Sequence, residues 1–564
     1  MAWPYHFVSL DDDEIQTRRE LLDRYGIYAQ LSAPVPVLAY QLYIFASWVF
    51  AKRERAQPSY TAVPSSPKVA ESRISPILQL ARKWRRLSWW FGSEVYAGYG
   101  TNGQWISGLS WASWLIFLCI HQTGIDYLHV TKRFGIVAAS QFPLHYLLSM
   151  KSVYSPLVLA FRTSHEKLNT YHRISGRIIY SLLMLHGIFY LNFFYQAGLV
   201  KTRLTSFVVI VGVISFALLT VLAGTSLARV RRWSYRLFFV LHLTLGISIL
   251  PLLFFHASPL RLYVVEAAVL FILDIIARKL DTVTGYAKIT LIPGTRLIKL
   301  VVPVPASKIE RFRAAAAQHV YLSIPPPSTP STTHFPSIHD LLFNPFTVAD
   351  VSESAITIVL RVLKGPTSTA LEHLTQLSKA TPPINIEGPC GTSQQFSNLA
   401  TQFDRILLVA GGVGATYTFP IYKHIQRSWA TEGSAAGKIS LVWSMKVAAE
   451  AVWAAESEDL HVIQKDPNIR IFLTGPESVS PESPLPEDSS VEKKDLQIKS
   501  LDNAESGRPD LKQIVDSTLR HAENEKVAIL VCGPAEMARE LREHAGEWVA
   551  RGRHIWWHDE SFGW

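Results

Sequence analysis

The hydrophobic positions follow two different patterns that meet near residue 281. Before this point, apolar stretches recur that are long enough to cross, or nearly cross, a hydrocarbon core of about 30 Å. After it, short apolar runs alternate with turns, which is typical of strands. The chain is therefore predicted to combine seven membrane spans with a folded, water-exposed half. The predicted spans are 35–51, 105–121, 134–150, 174–196, 205–224, 236–256 and 260–278.

The water-exposed half is predicted to contain two domains. Residues 281–400 hold β-like runs such as HVYLSIP and AITIVLRVLKG, separated by Pro- and Ser-rich turns, and predict a small antiparallel β-barrel. From 401 to 564 the pattern becomes strand, glycine turn and helix, which predicts an α/β doubly wound parallel sheet. Residues 476–507 are polar and poor in aromatic residues, so we expect a disordered insertion there.

Charge and hydropathy agree with a membrane protein. The mean hydropathy of the 564 residues is +0.15 and the net charge is +10. Residues 1–280 carry 28 Lys and Arg against 13 Asp and Glu, whereas residues 281–564 carry 27 against 32. The basic surplus thus lies in the apolar half and gives no support to nucleic-acid binding. Three cysteines are too few for a disulfide framework.

The distribution of basic residues also predicts the orientation. With a cytosolic C-terminal half, the inner connections 52–104, 151–173 and 225–235 hold 16 Lys and Arg, and the outer connections hold 5. Because Lys and Arg are retained on the cytoplasmic side, the N-terminus is expected outside. The N-terminal sequence lacks a basic region followed by an apolar run, so we expect no cleaved signal peptide. Residues 1–104 then form a tail, the first span and a basic cytosolic loop, and 105–280 form the main membrane domain.

Four histidines on two predicted spans form the strongest constellation. His172 and His186 are fourteen residues apart, and so are His242 and His256. Fourteen residues are nearly four helical turns, so each pair shares one helix face at depths roughly 21 Å apart. Two such helices facing each other would make two bis-histidine sites, and neutral imidazole is a suitable axial ligand for haem iron.

Other residues of the membrane half are given less specific roles. Arg173 and Arg177 are placed to neutralise haem propionates or to act as ordinary positive-inside residues. Four further histidines lack the paired spacing and are expected to be structural. They are His121, His129, His145 and His165.

Glycine-rich turns in the second half predict nucleotide binding. GGVGAT, with Gly411, Gly412, Gly414 and Thr416, follows a strand and opens a helix. Glycine lets the backbone approach a pyrophosphate, and the helix N-terminus supplies free N–H groups. A second turn, Cys532–Gly533–Pro534, follows a later strand, and IEGPCG, containing Glu387, Gly388 and Gly391, precedes the domain.

Eight signatures in order resemble the ferric reductase transmembrane component family, relatives of the NADPH oxidases. They are YHRISGR with the four histidines, NPFTV, EGPCG, GGVGAT, LVWSMK, GRPDL, CGP and the terminal ESFGW, and the resemblance covers about residues 105–564. It implies a plasma-membrane protein in which cytosolic NADPH reduces FAD and two b-type haems pass electrons to extracellular Fe(III), held in a chelate or siderophore.

The resemblance also implies roles for individual residues in binding FAD. The flavin motif falls on Asn344, Pro345, Phe346 and Thr347, with Asn344 in place of the usual histidine. Arg361, Gly365 and Thr367 resemble the segment that supports the FAD pyrophosphate.

For NADPH, the resemblance points to the ends of later strands. Arg508, followed by Pro509, matches the position that contacts the 2′-phosphate, and Trp443 and Lys446 lie in the WSMK segment. Cys532 is expected beside the junction of nicotinamide and flavin. Phe562 or Trp564 is expected to cover the flavin, and Glu560 to orient nearby groups.

Alternatives remain open from the sequence. A related oxidase that reduces O2 to superoxide would use the same relay, and Cu(II) reduction is equally compatible. The substitution at Asn344 also allows a haem-bearing scaffold whose reductase half has lost turnover. The oligomeric state is not predicted.

Overall fold

The chain divides into two compact units in this computed structural model. One unit comprises residues 1–75 and 90–280, and the other comprises 76–89 and 281–564. The residues that the structure describes are 4–56, 76–325, 343–363, 365–376, 381–391, 396, 398–431, 438–455, 463, 466–475, 504–520 and 525–560.

The described residues before 282 are mainly helical. Its helices are α1 (Asp12–Leu31), α2 (Pro34–Ala56), α3 (Pro76–Phe91), α4 (Asn102–Ile120), α5 (Tyr127–Ala139), α6 (Phe142–Ser149), α7 (Pro156–Phe161), α8 (His165–Gln196), α9 (Val200–Leu204), α10 (Phe207–Thr225), α11 (Ala228–Trp233), α12 (Tyr235–His256) and α13 (Arg261–Asp281).

Four of these helices are long and apolar enough to span a membrane among the described residues. They are α4, α8, α10 and α12, and they coincide with four of the predicted spans. Their apolar side chains remain largely exposed in the isolated chain, as expected of helices whose solvent is lipid. The first unit is therefore a membrane domain.

The predicted span 134–150 is not one continuous helix. The chain forms α5, leaves the helix at Ser140 and Gln141, and restarts as α6 with Pro143 in its first turn. Proline has no N–H to continue a helical ladder but fits the first turn of a new helix, which explains the break. The apolar pattern alone did not reveal it.

Two further differences concern the ends of the membrane half. Helix α1 was not predicted from the sequence; it begins at a capping box in which Asp11 and Glu14 satisfy each other's backbone N–H groups. The stretch 260–278 does form helix α13, but its charged residues place it outside the four apolar spans.

The second unit begins with an antiparallel, barrel-like sheet. Its strand order is β1-β7-β4-β5-β6-β3-β2, with a core of aliphatic residues that includes Ile298, Leu300 and Val320. Two helices, α14 (Ala306–Arg313) and α15 (Pro366–Gln376), accompany it. The strands are β1 (Val283–Tyr286), β2 (Lys288–Leu291), β3 (Leu297–Pro303), β4 (His319–Ser323), β5 (Asn344–Val351), β6 (Ala355–Arg361) and β7 (Pro383–Cys390).

A parallel six-stranded sheet follows in the order β11-β10-β9-β8-β12-β13. Its strands are β8 (Arg405–Gly411), β9 (Ile439–Met445), β10 (Ile469–Leu473), β11 (Ala504–Ser506), β12 (Lys526–Cys532) and β13 (His554–Glu560). The helices are α16 (Leu399–Gln402), α17 (Ala415–Thr431), α18 (Val452–Ala455), α19 (Leu511–Leu519) and α20 (Ala535–Ala550).

Helices cover both faces of the parallel sheet. Residues of α17 pack in one hydrophobic cluster, and residues of α19 and α20 pack in another. Strands β8 and β12 contribute to both clusters, which is why their sequences are apolar without interruption. At the end of the predicted insertion 476–507, residues 504–506 form strand β11, so that boundary was wrong; residues 476–503 lie outside the described residues.

Candidate functional site

Two histidine rings from different membrane helices lie opposite each other. The ring centroids of His172 on α8 and His242 on α12 are 6.1 Å apart, with an interplanar angle of 69°. A bond between a metal and an imidazole nitrogen is about 2 Å, so two rings on opposite sides of one metal have centroids roughly 6 Å apart. The distance between His172 and His242 fits an iron atom between them.

All four paired histidines are fixed through Nδ1. A ring whose Nδ1 is engaged in this way leaves Nε2 available to a metal, and the partner sets the ring's orientation. The Nδ1 partners are the His145 carbonyl oxygen for His172 (3.0 Å), Ser226 Oγ for His242 (3.0 Å), the Thr131 carbonyl oxygen for His186 (2.8 Å) and the Val208 carbonyl oxygen for His256 (2.8 Å).

Glycines on neighbouring helices make room for the other pair of rings. A Cβ at Gly135 would lie 2.7 Å from the His186 ring, and a Cβ at Gly212 would lie 2.5 Å from His256 Cε1. Distances below 3.0 Å do not occur for real Cβ atoms, so only glycine fits without displacing the histidines. Neither glycine was predicted from the sequence. The signal that could have indicated them is a glycine in the middle of an apolar helix, where no turn requires one.

The remaining histidines of the membrane half have other partners. His145 stacks on His172 with ring centroids 4.0 Å apart and bonds Ser175 Oγ at 2.6 Å, so it supports the His172–His242 pair. His129 contacts Arg133, and His165 bonds the Met150 carbonyl oxygen. Arg173 and Arg177 are exposed, as their suggested roles require.

The predicted flavin residues meet on the barrel. Asn344, at the start of β5, donates a hydrogen bond from Nδ2 to Thr367 Oγ1 at 2.6 Å. Thr347 is buried, and Phe346 lies half-buried against the barrel core. Two segments that are distant in sequence but were both predicted to hold FAD are thus in direct contact.

An ion pair joins the barrel to the parallel-sheet domain. Arg361 Nη2 lies 2.9 Å from Glu450 Oε1, and Glu450 Oε2 accepts a hydrogen bond from the Lys446 N–H at 3.4 Å. A Cβ at Gly412 would lie 3.0 Å from the Arg361 guanidinium, so the Arg361–Glu450 pair lies next to the glycine turn. Glu450 was not predicted, although it is the single acidic residue between positions 439 and 455.

The two glycine turns of the parallel sheet touch each other. Because β8 and β12 are parallel neighbours, their carboxyl ends lie side by side. A Cβ at Gly414 would lie 2.2 Å from the Cys532 carbonyl oxygen, and a Cβ at Gly411 would lie 2.7 Å from Pro534. A Cβ at Gly533 would meet Gly411 N at 3.0 Å. Helix α17 begins next to this contact, so its free N–H groups point to the place expected for a pyrophosphate.

The Cys532 thiol lies in this same contact. It is buried, and burial raises its pKa above the ordinary value, with the negative charge of Glu560 adding to the effect. The thiol is therefore neutral at physiological pH. Glu560 itself lies 3.1 Å from His558 Nε2.

Glu387 and Gly388 lie near the end of strand β7, and Gly391 directly follows it. Gly388 has φ +126° and Gly391 has φ +114°, a region that favours glycine. The Gly388 N–H donates to Asp281 Oδ2 at 2.9 Å, and a Cβ at Gly391 would crowd the His319 ring at 3.1 Å. Glu387 is buried.

Trp443 differs from its expected role as a cofactor contact. The side chain is 0% exposed, packs against Phe419 and Trp453, and donates from Nε1 to the Gly412 carbonyl oxygen at 3.1 Å. It holds the glycine turn in place from inside the domain.

The predicted NADPH contacts lie at the surface. Lys446 and Arg508 are exposed and Pro509 is half-exposed. Thr416, by contrast, is buried in the first turn of α17, and Gly365, predicted for FAD, is half-buried. Phe562 and Trp564 lie outside the described residues.

Three family models match the chain in the order of its domains. Residues 134–253 match the ferric reductase like transmembrane component, 284–394 an FAD-binding domain, and 403–546 the ferric reductase NAD binding domain. The chain belongs to the ferric reductase transmembrane component family. It is an NAD(P)H-dependent membrane oxidoreductase that binds FAD.

Curated relatives extend over most of this ferric reductase-family chain. It is 23% identical over 474 residues to the ferric/cupric reductase transmembrane component 2 of Schizosaccharomyces pombe, covering 77% of this chain and 80% of that protein. It is 26% identical over 450 residues to the probable metalloreductase AIM14 of Meyerozyma guilliermondii, covering 76% and 84%. Among solved structures, the ferredoxin reductase in carbazole 1,9a-dioxygenase matches with 17% identity and a TM-score of 0.32, covering 50% of this chain and 70% of that one.

Proposed function

We propose that this chain carries electrons from cytosolic NADPH, through FAD and two b-type haems, to Fe(III) outside the cell. When bound, these cofactors supply hydride acceptance and single-electron transfer, and the protein supplies binding, orientation and electrostatics. The acceptor is proposed as Fe(III), because the relatives are named as ferric, ferric/cupric and metallo-reductases. That this Fe(III) is held in a chelate or siderophore is part of the same proposal.

The observation that carries the proposal is the fixed orientation of four membrane histidines. Each ring is held through Nδ1 and keeps Nε2 for a metal, and the separation of His172 and His242 suits one iron atom. The second pair lies fourteen residues further along the same two helices. Two bis-histidine sites at different depths give electrons a route across the membrane.

The residues around the glycine turns support binding of both nucleotides. Asn344 and Thr367 would hold the flavin through their shared hydrogen-bond network. Arg361 would leave its ion pair with Glu450 and pair with the FAD pyrophosphate instead. The turns at Gly412 and Gly533 would leave room for the NADPH pyrophosphate. The hydrogen bond from Asn344 to Thr367 argues against a scaffold that has lost turnover. The residue that replaces the usual histidine still connects the two segments predicted to hold FAD.

Contacts within the membrane unit support the proposed orientation. The His6 N–H donates to the Ile125 carbonyl oxygen at 2.8 Å, and Arg18 lies 3.0 Å from Asp126. The N-terminal segment therefore packs on the connection 122–126, which charge distribution places outside. An external N-terminus and a cytosolic C-terminal half are consistent with both observations.

The proposal is tested by reducing the purified full-length protein with NADPH under anaerobic conditions. Reduced b-type haem absorption should appear, and an Fe(III) chelate should reoxidise the haem faster than O2 does. Faster reoxidation by O2, with superoxide formed, would identify an oxidase. Protein that retains no FAD and shows no haem reduction would support the scaffold.

A further inference from the structure

Helix α3 is an amphipathic helix that lies outside the membrane spans. Its sequence, PILQLARKWRRLSWWF, carries four basic residues and no acidic one. It belongs to the basic connection 52–104, whose charges also indicate the orientation of the chain. The helix has a separate structural role, which its two faces indicate.

One face of α3 is docked on the parallel-sheet domain. The Trp89 carbonyl oxygen accepts a hydrogen bond from Arg542 at 3.1 Å, and the Arg542 guanidinium lies 4.4 Å from the centroid of the Trp89 ring. The Trp89 ring also meets Trp557 edge-on at 6.0 Å. Gly546 leaves room for this indole, because a Cβ there would lie 2.9 Å from Trp89 Nε1.

Basic side chains take part in the same docking. Arg86 donates to the Ala550 carbonyl oxygen, and the Arg82 guanidinium approaches Gly552. At 100° per residue, positions 82, 86 and 89 share one face of the helix. Arg82 and Arg86 therefore contact the domain from one side of α3 while remaining exposed.

A second face of α3 presents large apolar side chains. Trp84 is 56% exposed, Leu87 41% and Trp90 49%. Single exposed apolar residues are common, but three on one face of one helix form a patch that needs a partner. Lys83 is exposed on the same side of the helix.

Chain continuity and charge point to lipid as that partner. Only residues 92–101 separate α3 from the span α4, and the Trp90 carbonyl oxygen accepts a hydrogen bond from Asn102 at the start of that span. Tryptophan favours the headgroup level of a bilayer, and basic residues favour anionic lipids. A second copy of the same helix would bring like charges together.

We propose that α3 lies on the membrane surface with Trp84, Leu87 and Trp90 among anionic lipid headgroups. The helix contacts the NADPH-binding domain through Trp89 and Arg86, and thereby anchors this domain to the bilayer. This binding role is independent of the electron acceptor.

Depth-dependent fluorescence quenching tests the proposal. Full-length Leu87→Cys protein is labelled with bimane and placed in nanodiscs containing nitroxide-labelled lipid, with and without phosphatidylserine. The matched control is Glu543→Cys, an exposed position on α20 of the same domain. Labelling of the native cysteines is accounted for with the parent protein treated identically.

Quenching at position 87 is expected to exceed that at 543 by about threefold or more, and to grow with phosphatidylserine. Lys83→Glu should reduce the phosphatidylserine dependence while α3 stays docked. Equal quenching at the two positions would overturn the proposal. Disulfide cross-linking between two copies of the Leu87→Cys variant, without lipid quenching, would overturn it in favour of a protein interface.

Discussion

Burial determines the chemistry of Cys532. The side chain is 2% exposed, and burial, followed by the charge of Glu560, raises its pKa. An acid whose pKa is raised in the folded state stays protonated where an ordinary thiol, with a pKa of about 8.5, ionises. The raised pKa of Cys532 therefore stabilises the folded state fully below about pH 8.5. This stabilisation is lost as the pH rises from there through the raised pKa.

Alkylation measures this protonation directly. At pH 9, we expect iodoacetamide to modify Cys532 at least about tenfold more slowly than the half-exposed Cys390, because the thiolate is the reactive form. Mass spectrometry of the full-length protein after timed labelling gives both rates. Equal rates would show that Cys532 is accessible and ionised.

Arg508 is the residue proposed to select NADPH over NADH. It is exposed, and a guanidinium suits a dianionic phosphate. Replacing Arg508 by Ala should raise the KM for NADPH by roughly tenfold or more, the loss of one charge-assisted hydrogen bond, and leave the KM for NADH unchanged. Lys512→Ala, an exposed cation four positions later, serves as the control. Equal effects on both nucleotides would contradict the assignment.

At the scale of single elements, α10 offers a test of the histidine sites. Gly212→Ala places a methyl group 2.5 Å from His256, whereas a Cβ at Gly224 on the same helix meets nothing within 4 Å. Both changes replace a glycine by a better helix former. Gly212→Ala should lower the haem content from about two to about one per chain, and Gly224→Ala should not change it. Unchanged haem in both, measured as pyridine haemochrome, would count against a ligand role for His256.

Asp281 makes several polar contacts within the barrel domain. It lies 3.3 Å from Lys308 and 2.8 Å from Arg311, and it also accepts the Gly388 N–H. Lys308 is buried, and burial lowers its pKa while Asp281 opposes that shift. Asp281 thus stabilises a buried amine and the backbone at Gly388 together.

Removing this carboxylate should be costly. Asp281→Asn is expected to lower the free energy of unfolding by about 3 kcal/mol, because Lys308 keeps a buried charge without its partner. The deficit should shrink as pH rises towards about 10, where the folded amine has lost the proton that the unfolded chain still binds. Urea unfolding followed by FAD release measures both effects. Glu310→Gln, which breaks an exposed pair with Arg313, is the control, and an equal loss in it would contradict the argument.

Local patterns predicted most elements, and distant packing explains what they missed. That His172 and His186 share one helix face follows from their spacing and from helical periodicity. The contact between the two glycine turns follows because the strands before them, β8 and β12, are parallel neighbours. The pairing of Arg361 with Glu450 joins elements 89 positions apart, so no local pattern encodes it. The break at Gln141 was hidden because the stretch is apolar on both sides.

At the scale of the whole chain, the charge asymmetry has two uses. It places the basic connections on the proposed cytosolic side, and it supplies the basic helix α3 that grips the nucleotide-binding domain. The membrane and nucleotide-binding units each have their own hydrophobic core. Because both units belong to one polypeptide, the proposed electron route runs within a single chain.

The most direct test of this route uses sealed vesicles with the nucleotide-binding domains facing outwards. NADPH is added outside, and an Fe(III) chelate that cannot cross the membrane is enclosed inside. Fe(II) should form inside with the wild-type chain and not with His256→Leu, which should still pass electrons from NADPH to soluble acceptors outside. Internal Fe(II) at the wild-type rate in His256→Leu, or none in the intact chain with bound haem, would contradict a relay through the paired histidines.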